Sequence, residues 1–313
     1  MMKKEIHDII NRIDFNVVRD HPNILIAARF WEDDRYHAAK VCYRFMRMID
    51  DMIDNRKKDN NNLTCLEKQH FAEKVNGLIE CLEFSNADDS FINETVQTIT
   101  TYKIPLPLFH NFSRSMIHDI NHNGFQTFEQ FISYAEGACV APASVFVHLC
   151  CLEKKNGEYI PPAFNIVEMA RPCAIFSYLV HIIRDFQKDQ HHNLNYFPMD
   201  ILKKNSLLPE DLKGIAHGAP IPESFRNVVR EYCMHAEYYK VQTLEQIEKL
   251  TSVIAPRYLL SLHIIFNLYL QVFERIDIIK GTFTTEELNP SFHEILERVK
   301  AVINENHSLL DEN

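Results

Sequence analysis

Two acidic clusters are the residues best equipped for chemistry. In Tyr43-Arg44-Phe45-Met46-Arg47-Met48-Ile49-Asp50-Asp51-Met52-Ile53-Asp54, Asp50 and Asp54 stand four residues apart in a stretch of helical periodicity, so they share one helix face. β-Carbons at that spacing lie ~5–6 Å apart, and two carboxylates so placed repel each other unless a cation sits between them. Magnesium suits such a pair, because it takes oxygen ligands and keeps several of its waters. Asp51 supports the pair from the edge, and Arg47, one turn earlier, reaches the anion that a metal would hold.

Taken alone, a cluster of this kind also describes a solvated helix face. A second one changes the reading. Ile182-Ile183-Arg184-Asp185-Phe186-Gln187-Lys188-Asp189 repeats the spacing with Asp185 and Asp189, places Arg184 and Lys188 beside them, and follows a strongly apolar helical stretch. Four carboxylates converging in a helical core would be costly to desolvate without compensating cations. With cations present they form a template for a diphosphate. Metal ions and basic side chains would stabilise the departing diphosphate, and the allylic carbocation left behind needs a dry, aromatic-lined cavity. The chain supplies 21 phenylalanines and 12 tyrosines, most of them expected to be plain core.

The elements that must position these clusters read as helices. Apolar residues recur at helical spacing at Ile6, Ile9, Ile10 and Ile13, at Val41, Phe45, Met48 and Ile49, and at Ile175, Leu179, Ile182 and Ile183. Polar or proline-bearing breaks fall at Asn55 to Asn62, Asn86 to Ser90, Ile104 to Pro107, Lys154 to Pro162, His191 to Pro198 and His217 to Pro222, which predicts roughly eight to ten helices. Asn60 to Asn62 reads as a surface loop that could cover a site. No alternating stretch is long enough to build a sheet. The fold class is all-α, a helical bundle, and no shift in composition marks a boundary within the 313 residues, so residues 1–313 are expected to form one domain.

Composition excludes several functions. With 7 glycines and no GxGxxG or GxxxxGK[ST] pattern, a nucleotide-binding α/β fold is disfavoured, and no nicotinamide-binding signature is visible. A net charge of −10 argues against a nucleic-acid partner. The eight cysteines form no CxxC pair and read as reduced core residues of a cytoplasmic protein, Cys150-Cys151 included. A haem or iron bundle is disfavoured because no ExxH pair is placed on facing helices. His191 and His192 read as a solvated loop pair. The most apolar long run, Tyr258 to Phe273, falls short of a ~20-residue span, so no transmembrane helix is expected, while peripheral membrane contact stays open.

These residues resemble the squalene/phytoene synthase family from about His21 to Tyr269. The first motif, preceded by Tyr43 and Arg47, and the second, followed by Asn195-Tyr196-Phe197-Pro198, match the family's two DxxxD motifs and the segment after the second one. Met116 to Asp119 and Thr127 to Tyr134 resemble the stretch leading into its central tyrosine-bearing helix. The resemblance implies an isoprenoid-synthase bundle around a central cavity, Mg²⁺ as cofactor and prenyl diphosphates as substrates. It implies metal ligation by Asp50, Asp51, Asp54, Asp185 and Asp189, and diphosphate contacts from Arg47, Arg184, Lys188, Tyr43 and Tyr196, with His21 and Tyr269 aligning approximately at two more such positions. The family joins two farnesyl or geranylgeranyl diphosphates head to head, and NADPH stays possible for a squalene-type final step. Three positions depart from the family pattern. His181 and Tyr178 stand where it has asparagine and glutamine, the His181 imidazole being able to ligate a metal or donate to a diphosphate, and Pro142 enters the central helix, where a break is expected. These departures keep open a lyase acting on one prenyl diphosphate, and a non-catalytic scaffold relative is the third reading.

Overall fold

The computed structural model describes residues 8–10, 13, 23–59, 63–84, 89–121 and 124–306; the expected loop at Asn60 to Asn62 lies outside them. The helices are α1 (Asn23–Ala28), α2 (Asp33–Asp59), α3 (Cys65–Phe84), α4 (Ser90–Thr101), α5 (Leu106–Asn121), α6 (Phe128–Ala135), α7 (Ala141–Cys151), α8 (Ile166–His191), α9 (Met199–Lys204), α10 (Pro209–Ala216), α11 (Glu223–Leu250), α12 (Pro256–Phe273), α13 (Thr285–Leu288) and α14 (Phe292–Glu305). They outnumber the roughly eight to ten expected from sequence breaks, because short helices such as α9 and α13 fill the connections.

Starts and stops follow local chemistry. Asp89 caps α4 by accepting from the Phe91 and Ile92 amides, Thr127 caps α6 through the Gln130 amide, and Asn165 caps α8 through the Val167 and Glu168 amides, each satisfying N–H groups that a helix start leaves open. The break expected from Asn55 comes later, since α2 continues to Asp59.

Among the described residues one short hairpin is the exception to the helical pattern, with β1 (Glu153–Lys155) antiparallel to β2 (Glu158–Ile160). Its turn is Asn156-Gly157, both at positive φ, the pair such two-residue turns favour. The hairpin has a mechanical use: Tyr159 is buried and its hydroxyl donates to Asp34 at the start of α2, at 2.8 Å. Arg35 then reaches the other way, donating to the Leu149 and Leu152 carbonyls at the end of α7 at 2.9 and 3.2 Å. A cation on the last carbonyls of a helix is favourably placed, and the pair of contacts fixes the N-terminal end of α2 against α7.

Helix α8 is the central element, packed against α11, α7, α10 and α12, while α2 packs against α1, α4, α5 and α7. Since α7 touches both, it sets the spacing between the two acidic helices. The aromatic residues are largely core, as expected: Phe30, Phe45, Phe109, Phe131, Phe176, Phe197, Phe225, Phe283 and Tyr232 are fully buried.

Pro142 does not break the central helix. Residues Glu136–Val140 form a π-turn between α6 and α7, with the Ala141 amide bonded to the Glu136 carbonyl five residues back. A proline at 142 has no N–H to offer the Ala138 carbonyl, and the widened turn absorbs that loss, so one rod runs from Phe128 to Cys151. Gly137 lies in this turn because α5 comes so close that a Cβ would meet the Asn111 carbonyl oxygen and Ser115 Oγ at 2.2 Å. This rod and α8 are long and apolar enough to cross a membrane by composition, unlike the Tyr258 to Phe273 run, and 67% and 56% of their most apolar windows are buried inside the bundle.

Candidate active site

A cavity of about 450 Å³ lies between α2 and α8, within the size range of small-ligand sites. Its polar end is lined by Tyr43, Arg47, Asp50 and Asp54 of α2, by His181, Asp185, Lys188 and Asp189 of α8, and by Tyr196 and Tyr269. Ten of the residues singled out from the sequence are therefore brought to one space. Two others are placed differently: Asp51 does not line the cavity and pairs with Arg47 at 2.5 Å, and Arg184 lies behind the wall. His21 is outside the described residues. The rest of the cavity is mostly apolar, with Ile182, Leu250, Leu262 and Ile265 among its walls.

The four carboxylates differ in their surroundings. Arg47 bonds Asp50 at 2.9 Å as well as Asp51, yet burial, Asp54 and Asp119 together push the Asp50 carboxyl up to about 7. Burial and then Asp185 push Asp189 up to about 8. At Asp185 burial acts the same way but is overcome. His181 Nε2 lies 2.7 Å from its Oδ2 and Arg184 Nε donates to its Oδ1 at 2.7 Å, which holds this carboxyl well below the usual range. His181 thus orients a carboxylate, a role the sequence did not reveal.

The donor set fits magnesium. It consists of carboxylate oxygens, hard ligands, and two of the carboxyls are driven toward neutrality by burial and mutual repulsion, the condition that a bound dication reverses. Among the described residues no three His, Cys, Asp or Glu side chains converge on one point. The carboxylates line the cavity from two helices, an arrangement that suits an ion that completes its shell with water and substrate phosphate.

Sequence reasoning missed several neighbours. Tyr134 and Tyr178 both line the cavity, and Tyr134 Oη donates to Asp119 Oδ2 at 2.5 Å. Of the histidine pair after the second motif, His191 is exposed and closes α8, packing on His217 at 4.6 Å between ring centroids and lying 3.1 Å from the Ala216 carbonyl, while His192 lines the cavity. The cysteines are free, as expected, but not uniformly core, since Cys65 is exposed and Cys42, Cys139 and Cys173 line the cavity.

A helical bundle holding two facing DxxxD pairs above an apolar cavity defines a class of enzymes that act on prenyl diphosphates. The profile of the squalene/phytoene synthase family matches residues 18–299, and the chain belongs to that family of prenyltransferases. No curated protein sequence matches it. Among solved structures it is similar to a dehydrosqualene synthase in complex with ligand, with a TM-score of 0.69 at 14% identity over 97% of this chain and 99% of the other. It is also similar to YisP from Bacillus subtilis subsp. subtilis strain 168, at 0.58 and 12% over 95% and 97%, and to the squalene synthase HpnC from Alicyclobacillus acidocaldarius, at 0.53 and 12% over 90% and 98%. At these identities the structural likeness speaks for the fold.

Proposed function

We propose that this chain, acting as a single domain, condenses two prenyl diphosphates head to head, farnesyl or geranylgeranyl, to a squalene-, presqualene- or phytoene-type product with Mg²⁺ as cofactor. The observation that carries the reading is the pair of DxxxD faces lining one end of a cavity whose remaining wall is apolar. Asp50, Asp54, Asp185 and Asp189 would hold the metal, which neutralises charge on the leaving diphosphate. Arg47, His181 and Lys188 line the same end and donate to diphosphate oxygens. The C–O bond of one substrate breaks, its electron pair leaving with the diphosphate, and the C2–C3 alkene of the second substrate supplies the pair that captures the allylic cation. The apolar wall keeps water from that cation. The reading suits a reducing, cytoplasmic setting and leaves room for peripheral contact with a membrane that receives an apolar product.

A second reading, a lyase ionising one prenyl diphosphate, is favoured by Tyr178 and His181, which stand at cavity positions where the family has amides. Incubating the purified protein with Mg²⁺ and farnesyl or geranylgeranyl diphosphate, with and without NADPH, separates the two. A C30 or C40 product supports condensation and fixes chain length, a product of one prenyl unit supports the lyase, and no diphosphate release rejects both.

A further inference from the structure

The cavity is long, and its depth bears on the chain length of the substrate, an inference that rests on the function proposed above. Every turn of α8 from Met169 to Asp189 contributes to the lining, so the space follows that helix. From Asp185 to Met169 it descends ~24 Å at 1.5 Å per residue. Helix α11 runs antiparallel to α8: Phe225 near its start packs on Phe186 at 4.6 Å between ring centroids, and farther along the Arg171 guanidinium lies 5.7 Å from the Tyr239 ring. Residues beyond Tyr239 therefore lie at the N-terminal end of α8, away from the carboxylates. There Thr243, Gln246, Ile247 and Leu250 line the cavity, and all but Gln246 are buried. Thr243 turns its hydroxyl to the Tyr239 carbonyl at 2.7 Å, and the Gln246 amide oxygen accepts from Lys249 at 3.4 Å. With those oxygens engaged by the protein itself, this end suits the end of a hydrocarbon.

We propose that the last two turns of α11, through Thr243, Ile247 and Leu250, form the floor that sets prenyl chain length, and that the depth they leave selects geranylgeranyl over farnesyl diphosphate. The diphosphate takes up about one helical turn of depth beside Asp185, ~5 Å, which leaves ~18 Å for the chain. An extended chain advances ~1.2 Å per bond, so a geranylgeranyl chain covers ~18 Å and meets the floor, whereas a farnesyl chain covers ~13 Å and ends about a turn above it. The difference falls at Met169 and Ala170, which line the last turn of α8 before the floor. A chain that stops short leaves this apolar wall unfilled and forfeits both the burial and the packing that its last five carbons would gain. Ala170 is the small residue that keeps that turn open.

The test uses the full chain with Mg²⁺ and measures kcat/KM for diphosphate release from farnesyl, geranylgeranyl and the C25 geranylfarnesyl diphosphate. Ratios are taken within each protein, so a loss of folded enzyme cancels. The wild type is expected to favour C20 over C15 by ~10-fold or more, the low end of what a missing methylene costs in an apolar pocket. Ala170→Phe, which places a ring above the floor, is expected to reverse that preference, and Ile247→Ala, which lowers the floor, to raise the C25 to C20 ratio by ~10-fold. Ratios that stay unchanged in both variants overturn the inference. So does a wild type that favours farnesyl diphosphate and makes a C30 product, an outcome that leaves the condensation reading standing. A wild type that releases no diphosphate from any of the three rejects that reading, and this inference with it.

Discussion

The two acidic helices carry the same spacing and meet in the same cavity, yet their first carboxylates, Asp50 and Asp185, are held in opposite ways. On α8, Asp185 has His181 and Arg184 bonded to it and is ionised by the protein alone. On α2, Asp50 shares Arg47 with Asp51 and faces Asp54 and Asp119, so burial and repulsion push its carboxyl up to about 7 and leave it only partly ionised at that pH. Spacing decides which groups share a face; the neighbours decide whether a group is charged before any metal arrives. Asp185 is set up in advance, whereas Asp50 and Asp189, one on each helix, depend on a cation.

The strongest way to break that contrast is to remove one carboxylate from each side. Asp50→Ala and Asp185→Ala are each expected to cut diphosphate release by about 10³-fold, since several kcal/mol of transition-state charge stabilisation depends on the ligand set. Equal, near-wild-type turnover in both would end the catalytic reading of the motifs. Stability should separate the same two variants. Asp185→Ala leaves Arg184 buried without its partner and is expected to cost about 3–5 kcal/mol, whereas Asp50→Ala removes a repelled carboxyl and should hold or raise the urea midpoint of the metal-free protein.

Acidity gives the next effect. Asp50 and Asp189 sit at about 7 and about 8, above the ~3.9 of an unfolded aspartate, so the folded state binds protons more tightly over that interval. Their contribution to metal-free stability is then favourable at low pH and falls as pH rises through about 8. After EDTA treatment, Tm is expected to drop between about pH 5.5 and pH 8.5, with Mg²⁺ restoring it at the higher pH and adding little at the lower one. A double Asp50→Asn, Asp189→Asn variant should flatten the drop; a slope that persists in it would place the proton linkage elsewhere. The smallest effect belongs to His181→Ala, which removes one of two partners of Asp185 and is expected to cost about 1 kcal/mol by chemical denaturation.

Much of this site was legible because its chemistry is written locally. The DxxxD pairs, Arg47, Lys188 and Tyr196 lie in contiguous motifs, and helical periodicity alone places the acidic pairs on single faces. Asp119 and Tyr134 were not legible as a pair, since they stand on different helices, α5 and α6, and meet only in the fold. Asp51 looked equivalent to its neighbours in sequence, but adjacent residues on a helix point about 100° apart, and this one faces Arg47 outside the cavity. The hairpin carried a readable Asn-Gly turn, but its strands are three residues long and mostly exposed, so they lack the alternation that marks a strand. The proline at 142 was read for what it removes from a helix, without the extra residue beside it that makes the removal harmless.

That extra residue has a consequence for how the gene can change. The π-turn at Glu136–Val140 inserts one position into the helical circuit, and everything downstream is rotated by about 100° relative to a plain α-helix. Pro142, Ala143, Val145, Phe146 and Leu149 reach the cavity in that rotated phase. Deleting any single codon within the turn would remove the widening that accommodates Pro142 and turn this whole row away from the substrate, so the segment should tolerate many replacements of its residues, Gly137 excepted, and no change in their number.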